Sequence, residues 1–310
     1  MHPKRAQRIL AQWVIAALPL SALQGCPLIG GGCPPPTSSR ATLLGDGGLG
    51  DGGLTDAGCE EVCRRLMPSA DSVTLCRFSE SGGQPLASCE YAQSCVAGRR
   101  PEGLLPAPQA AGDPLADFLA RQAHLEAASV PAFLRLASEL LLHGAPLARV
   151  KAALRAAEEE QQHADLMTKA ACRYGAQPAL VKVSPPRLRT LAEIAIENAV
   201  EGCVRETLGA MVALWQAHTA ADPWLRRVMM TIAEDELAHA ELAWDVDAWA
   251  CSRLSRDEKQ RVDSARDAAF EQLDQELSVP IPDVLRHQLG LPDTARAREL
   301  LSRARRPIAA

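Results

Sequence analysis

Two stretches of this chain repeat one pattern. Ala156–Asp165 reads AAEEEQQHAD and contains Glu160 and His163; Ile232–Leu242 reads IAEDELAHAEL and contains Glu236 and His239. Residues three apart on a helix lie about 60° apart around the axis and one turn along it, so each Glu-x-x-His pair can grip one metal ion from one side. A single such pair is more often an exposed salt bridge than a ligand set. Here each is preceded by another glutamate at nearly the same distance. Glu126, in HLEAASVPAF, lies 34 residues before Glu160, and Glu201, in NAVEGCVRET, lies 35 before Glu236. Glu, Glu-x-x-His, Glu, Glu-x-x-His on four successive helices is the ligand pattern of a carboxylate-bridged di-metal site. Four carboxylates and two imidazoles suit two divalent first-row metals, iron or manganese. The spacing leaves open which glutamates bridge, and whether the chain is a metal-free relic of such a fold.

On these residues, 114–254 resembles the ferritin-like superfamily, and ENAVEGCVRET resembles a group of exported ferritin-like proteins. The resemblance implies an all-α four-helix bundle with one long crossover. It also implies two Fe ions, or Mn, held by Glu126, Glu160, His163, Glu201, Glu236 and His239. The implied activity is an O2- or peroxide-dependent oxidoreductase or a ferroxidase. The alternative is a metal-binding or structural helical scaffold without turnover. There is no rubredoxin-like pair of CxxC motifs, so the rubrerythrin arrangement for electron delivery is missing. Gln122 and Glu197 each precede a predicted ligand by four residues and are candidates for holding it in place. Glu158, Glu159, Glu234 and Glu241 are expected to face solvent.

The helices follow from periodicity and caps. The first spans about 114–143 with Pro131 inside it; the second runs from Pro146 to about Tyr174 before Gly175. Residues 175–189 form the crossover. Thr190-x-x-Glu193 opens helix three, Asp222-Pro223 helix four, and Ser255-x-x-Glu258 a charged helix expected to pack outside the bundle. Residues 255–310 read as a C-terminal helical extension. Cys172, Cys203 and Cys251 fall in helices as small buried groups, with a disulfide between two of them an alternative.

The N-terminal third reads differently. Lys4, Arg5 and Arg8 precede a short apolar run that ends Leu23-Gln24-Gly25-Cys26. This resembles a bacterial lipobox, implying a signal peptide over 1–25 and a lipid anchor on Cys26. Pro27 follows, rather than aspartate, which points to the outer membrane. Residues 26–58 carry GDGGL twice and read as a flexible Gly/Pro-rich tether. Residues 59–98 read as a cysteine-rich module. Its disulfide candidates are Cys59, Cys63, Cys76, Cys89 and Cys95, with Cys33 completing six; zinc is the alternative. Such a module is a candidate face for an envelope protein partner, and 99–113 reads as a linker. The formal charge is −5 with no basic block, which argues against nucleic acid.

Overall fold

The computed structural model describes residues 37–43, 72–81, 84–92, 98–105, 113–278 and 281–305, the first three ranges as backbone only. The predicted signal segment and Cys26, Cys33, Cys59, Cys63 and Cys95 lie outside the described residues. The chain divides into one unit over 30–95 and another that includes 96–310.

The first unit contains a three-stranded antiparallel sheet, β1 (Thr37–Leu43), β2 (Ser72–Ser81) and β3 (Gln84–Ala92), in the order β1-β3-β2. The all-α fold expected of 114–310 is that of the second unit, and the segment expected to be tether and cysteine-rich module contains these strands. The whole of 26–58 is therefore not a tether. Between its Gly-rich stretches, TSSRATL is an edge strand in register with β3 from Thr37 opposite Ala92 to Leu43 opposite Leu86. The ladder supplies partners for the backbone polar groups, which a composition argument does not count. Register sets Cys76 opposite Cys89.

The second unit is helical. Helix α1 (Pro114–Leu142) starts at the Asp113 cap, whose carboxylate accepts from the N–H groups of Leu115 and Ala116, and continues through Pro131. A turn at Gly144 (φ 70°) reverses the chain into α2 (Leu147–Arg173), so the two pack as antiparallel neighbours. The crossover then leads to Thr190, which forms the expected capping box with Glu193. The third long helix has three parts: α3 (Leu191–Glu197), a π-helical stretch (Asn198–Glu206), and α4 (Thr207–Thr219). Asp222 caps α5 (Pro223–Cys251), which packs on α2, α4 and the π-helical stretch. The Ser255–Glu258 capping box opens α6 (Arg256–Glu276), which lies against α3 and the π-helical stretch. Helices α7 (Asp283–Leu289) and α8 (Thr294–Ala304) follow, α7 touching α1 and α8 packing on α4 and α6.

The helices are joined by an alanine-rich core in which Phe133, Leu136 and Leu140 of α1 meet Val150, Ile194, Val246 and Trp249. Small residues let the backbones approach, and each large apolar side chain fully buried is worth about 1.5–3 kcal/mol. The predicted linker is partly structural: residues 98–105 pack on this unit, with Leu104 bridging Val183 of the crossover and Arg99 buried. Among the described residues, no helix is long and apolar enough to cross a membrane.

Candidate metal centre

Glu126 enters the core from α1, Glu160 and His163 from α2, and Glu236 and His239 from α5; all five are buried. Ligand atoms of Glu126, Glu160, His163 and Glu236 lie within 4.8 Å of one another, and this group can hold a metal ion. Nδ1 of His163 is 3.8 Å from Glu126 Oε2, 3.7 Å from Glu160 Oε2 and 3.6 Å from Glu236 Oε1. Nδ1 of His239 is 3.2 Å from Glu160 Oε1 and 3.8 Å from Glu236 Oε1. Glu160 and Glu236 thus lie between the two imidazoles. Glu126 Oε2, both carboxylate oxygens of Glu160 and Glu236, and both Nδ1 atoms are buried without a hydrogen-bond partner. So many unmade bonds in a dry core are costly unless a cation satisfies them.

The outer nitrogens are held. His163 Nε2 donates to Asp235 Oδ2 at 3.0 Å, and His239 Nε2 donates to Glu159 Oε2 at 2.9 Å. An ionised carboxylate only accepts, so each ring carries its proton on Nε2 and, when neutral, turns the Nδ1 lone pair inward. The arrangement is reciprocal. Asp235 precedes Glu236 on α5 and serves the histidine of α2; Glu159 precedes Glu160 on α2 and serves the histidine of α5. Glu159, expected to be solvated, thus has a specific partner, and Asp235 was not singled out in the sequence. The acidic residue before each Glu-x-x-His was the available signal.

Glu201 does not join the group. It is 14% exposed, accepts from the N–H of Arg100 at 3.2 Å, and lies 3.6 Å from Arg205 Nε. Another glutamate of the third helix, Glu206, lies near enough to feel the charges of the group. Its side chain is fully buried, and both carboxylate oxygens lack a hydrogen-bond partner. The charges acting on it are those of Glu236, Arg99, His239 and Glu160. The cause of the misplacement is the π-helical stretch. Its i→i+5 turns shift the face presented to the bundle, so a stripe extrapolated at 3.6 residues per turn selects the wrong glutamate. Read backwards from α4, the stripe is Gln216, Ala213, Gly209 and then Glu206. The pair Glu201 and Arg205, at i and i+4, was itself a sign of an ion-paired face.

Gln122 lines a narrow cavity beside Glu126. Glu197 is turned away from the centre and paired with Arg99. Cys172, Cys203 and Cys251 are free thiols, so no disulfide joins the helices at these positions.

The group's protonation follows from this crowding. Burial drives Glu126 well above the usual carboxylate range, and the Glu160 charge adds to it. Burial likewise drives Glu206 well up, and Glu236 adds to it, against the pull of Arg99 and His239. Burial opposes a charged His163, but the hydrogen bond to Asp235 and the close carboxylates of Glu160, Glu236 and Glu126 outweigh it and hold the imidazolium up to about 12. For Glu236 burial works upward, and the two imidazoles outweigh it, pulling the carboxyl down to about 2.

The cavity is about 10 Å³, room for one water-sized molecule, and runs from Glu126 and Glu236 along Leu119, Met167, Gly209, Ala213 and Met229. No family model, curated protein or solved structure matches this chain.

Proposed function

We propose that the helical unit is a ferritin-like di-metal oxidoreductase, a ferroxidase or an enzyme dependent on O2 or peroxide, using two iron ions with manganese as the alternative. The observation that carries this reading is the set of buried, unpartnered carboxylate oxygens and inward-facing Nδ1 atoms around one point. Glu126 and His163 would serve one position and Glu206 and His239 the other, with Glu160 and Glu236 between them. When bound, such a pair of ions supplies redox equivalents and Lewis acidity at adjacent positions. Asp235 and Glu159 fix the ring orientations and hold the Nε2 protons, and both are partly exposed, so each links a buried histidine to solvent. The narrow apolar cavity favours a small reactant over a bulky organic one. We also propose that Cys26 carries a lipid that tethers the protein to the cell envelope, on the strength of Leu23-Gln24-Gly25-Cys26.

Elemental analysis tests the centre. The purified protein should carry about two ions per chain, lost in the Glu160→Ala, Glu236→Ala double variant. Anaerobic Fe(II) loading followed by exposure to O2 should then show oxidant consumption that the double variant lacks. A protein that takes up metal but consumes neither O2 nor peroxide would instead support a metal-binding scaffold, and one that takes up none would overturn the di-metal reading and leave the structural scaffold.

A further inference from the structure

We infer that Arg99, carried into the helical unit by the segment before α1, is a positioning residue that makes the two metal positions unequal, weakening the one served by Glu206 and His239. The inference rests on the di-metal reading above. The hydrogen bonds of the two histidines are reciprocal, so these ligands by themselves would give two similar positions. Arg99 breaks that symmetry. It is 1% exposed, its Nε and Nη2 donate to Glu197 Oε1 and Oε2 at 3.1 and 3.0 Å, and Nη1 donates to Asn198 Oδ1 at 3.2 Å. Its guanidinium carbon lies 5.7 Å from the centre of the Phe133 ring, and that ring lies 5.0 Å from the ring of His239.

The site for this guanidinium is built. A Cβ at Gly202 would lie 2.6 Å from Ala243 Cβ of α5, 3.0 Å from Arg99 Nη1 and 3.1 Å from Asn198 Oδ1, so glycine there admits both the close approach of α5 and the guanidinium. On the strap itself, Gly98 has φ +83°, and a Cβ there would lie 2.4 Å from Ser129 Oγ. Glu197 offsets the arginine's charge only in part, because it also faces a second guanidinium. Arg189 Nη2 lies 3.5 Å from Glu197 Oε2, although Arg189 is also held by Glu139 at 2.6 Å. The Phe133 ring that the guanidinium faces lies against His239, so the fixed charge sits on the His239 side of the centre. A fixed positive charge in a low-dielectric interior opposes a dication brought near it, and here it opposes one position more than the other.

Calorimetric titration of the complete metal-free protein with Co2+ tests this. Wild type should bind two ions with unequal affinities. Arg99→Gln should tighten the weaker step by at least about tenfold and leave the stronger within about threefold. Loss of a merely structural arginine would weaken both steps or neither. Arg99→Lys, which keeps the charge, should retain most of the wild-type gap. Glu197→Gln leaves the guanidinium less compensated and should widen the gap, which provides the opposite sign should Arg99→Gln fail to fold. Two equal steps in wild type, or a weaker step that Arg99→Gln leaves unchanged or loosens and Glu197→Gln does not loosen, would overturn the inference. Fewer than two ions bound by wild type would instead overturn the di-metal reading on which it stands.

Discussion

At the scale of single residues, the centre separates glutamates that differ little in sequence. Glu206 is buried with no hydrogen-bond partner on either oxygen, whereas Glu201 is satisfied by Arg100 N–H and lies beside Arg205. Glu206→Ala should therefore lower metal content by about one ion per chain, and Glu201→Ala should leave it unchanged; elemental analysis of the two side by side decides. Asp235→Asn and Glu159→Gln remove the acceptor charge that fixes each histidine. Each should weaken metal binding roughly 10- to 100-fold without unfolding the protein, measured by competition with a chromophoric chelator. The sequence exposes Glu126, Glu160, His163, Glu236 and His239 because their helices keep the α-helical period. It hides Glu206 because the π-helical turn between it and Glu197 changes that period, and nothing in NAVEGCVRE announces an i→i+5 turn. It hides Arg99 because a residue before the first helix has no periodicity to mark its burial.

At the scale of elements, the starts of helices are the most legible feature. Asp113, Thr190, Asp222 and Ser255 each accept a backbone N–H at the position their residue type and the following Pro or Glu predict. Strand β1 is not legible, since its stability comes from a partner strand more than 40 residues away in sequence and not from its own composition. The end of α7 is a docking point of similar long range. Gly290 has φ +69°, and a Cβ there would fall 2.3 Å from the backbone nitrogen of Ala220, in the turn between α4 and α5. Gln216 and Thr219 bind the same segment through the carbonyl oxygens of Leu289 and Gly290. Gly290→Ala should therefore cost more than the roughly 1–2 kcal/mol of left-handed backbone strain alone. Thermal unfolding followed by circular dichroism should show a lowered midpoint, while metal stoichiometry in the cold stays intact, because the centre is built from α1, α2, α5 and the π-helical stretch.

At the scale of the whole molecule, the di-metal reading makes metal and protons competitors for one buried cluster, and that competition would fix how stability responds to pH. In the metal-free protein His163 is held up to about 12, against an unfolded value of about 6.5. A raised folded-state value contributes stability that is complete below the unfolded pKa and is lost as pH rises toward the folded one. His239, raised well above its ordinary value by Glu159, Glu160 and Glu236 against the effect of burial, acts in the same direction. Glu236, held down to about 2, acts in the opposite direction, but only below about 4.5, outside this range. The metal-free protein should therefore lose thermal stability between pH 6.5 and 9. The loaded protein should not, because its ligands have already released those protons to bind cations, and binding confined to the folded state adds about 2.7 kcal/mol at a hundredfold excess over the dissociation constant. The gap between loaded and chelator-treated melting temperatures should thus widen as pH rises. In Glu160→Ala, Glu236→Ala it should vanish at every pH, because the positions between the two histidines are gone. A gap that does not widen with rising pH would mean that the histidines are already neutral in the metal-free protein, and that protons do not stand in for metal in this core.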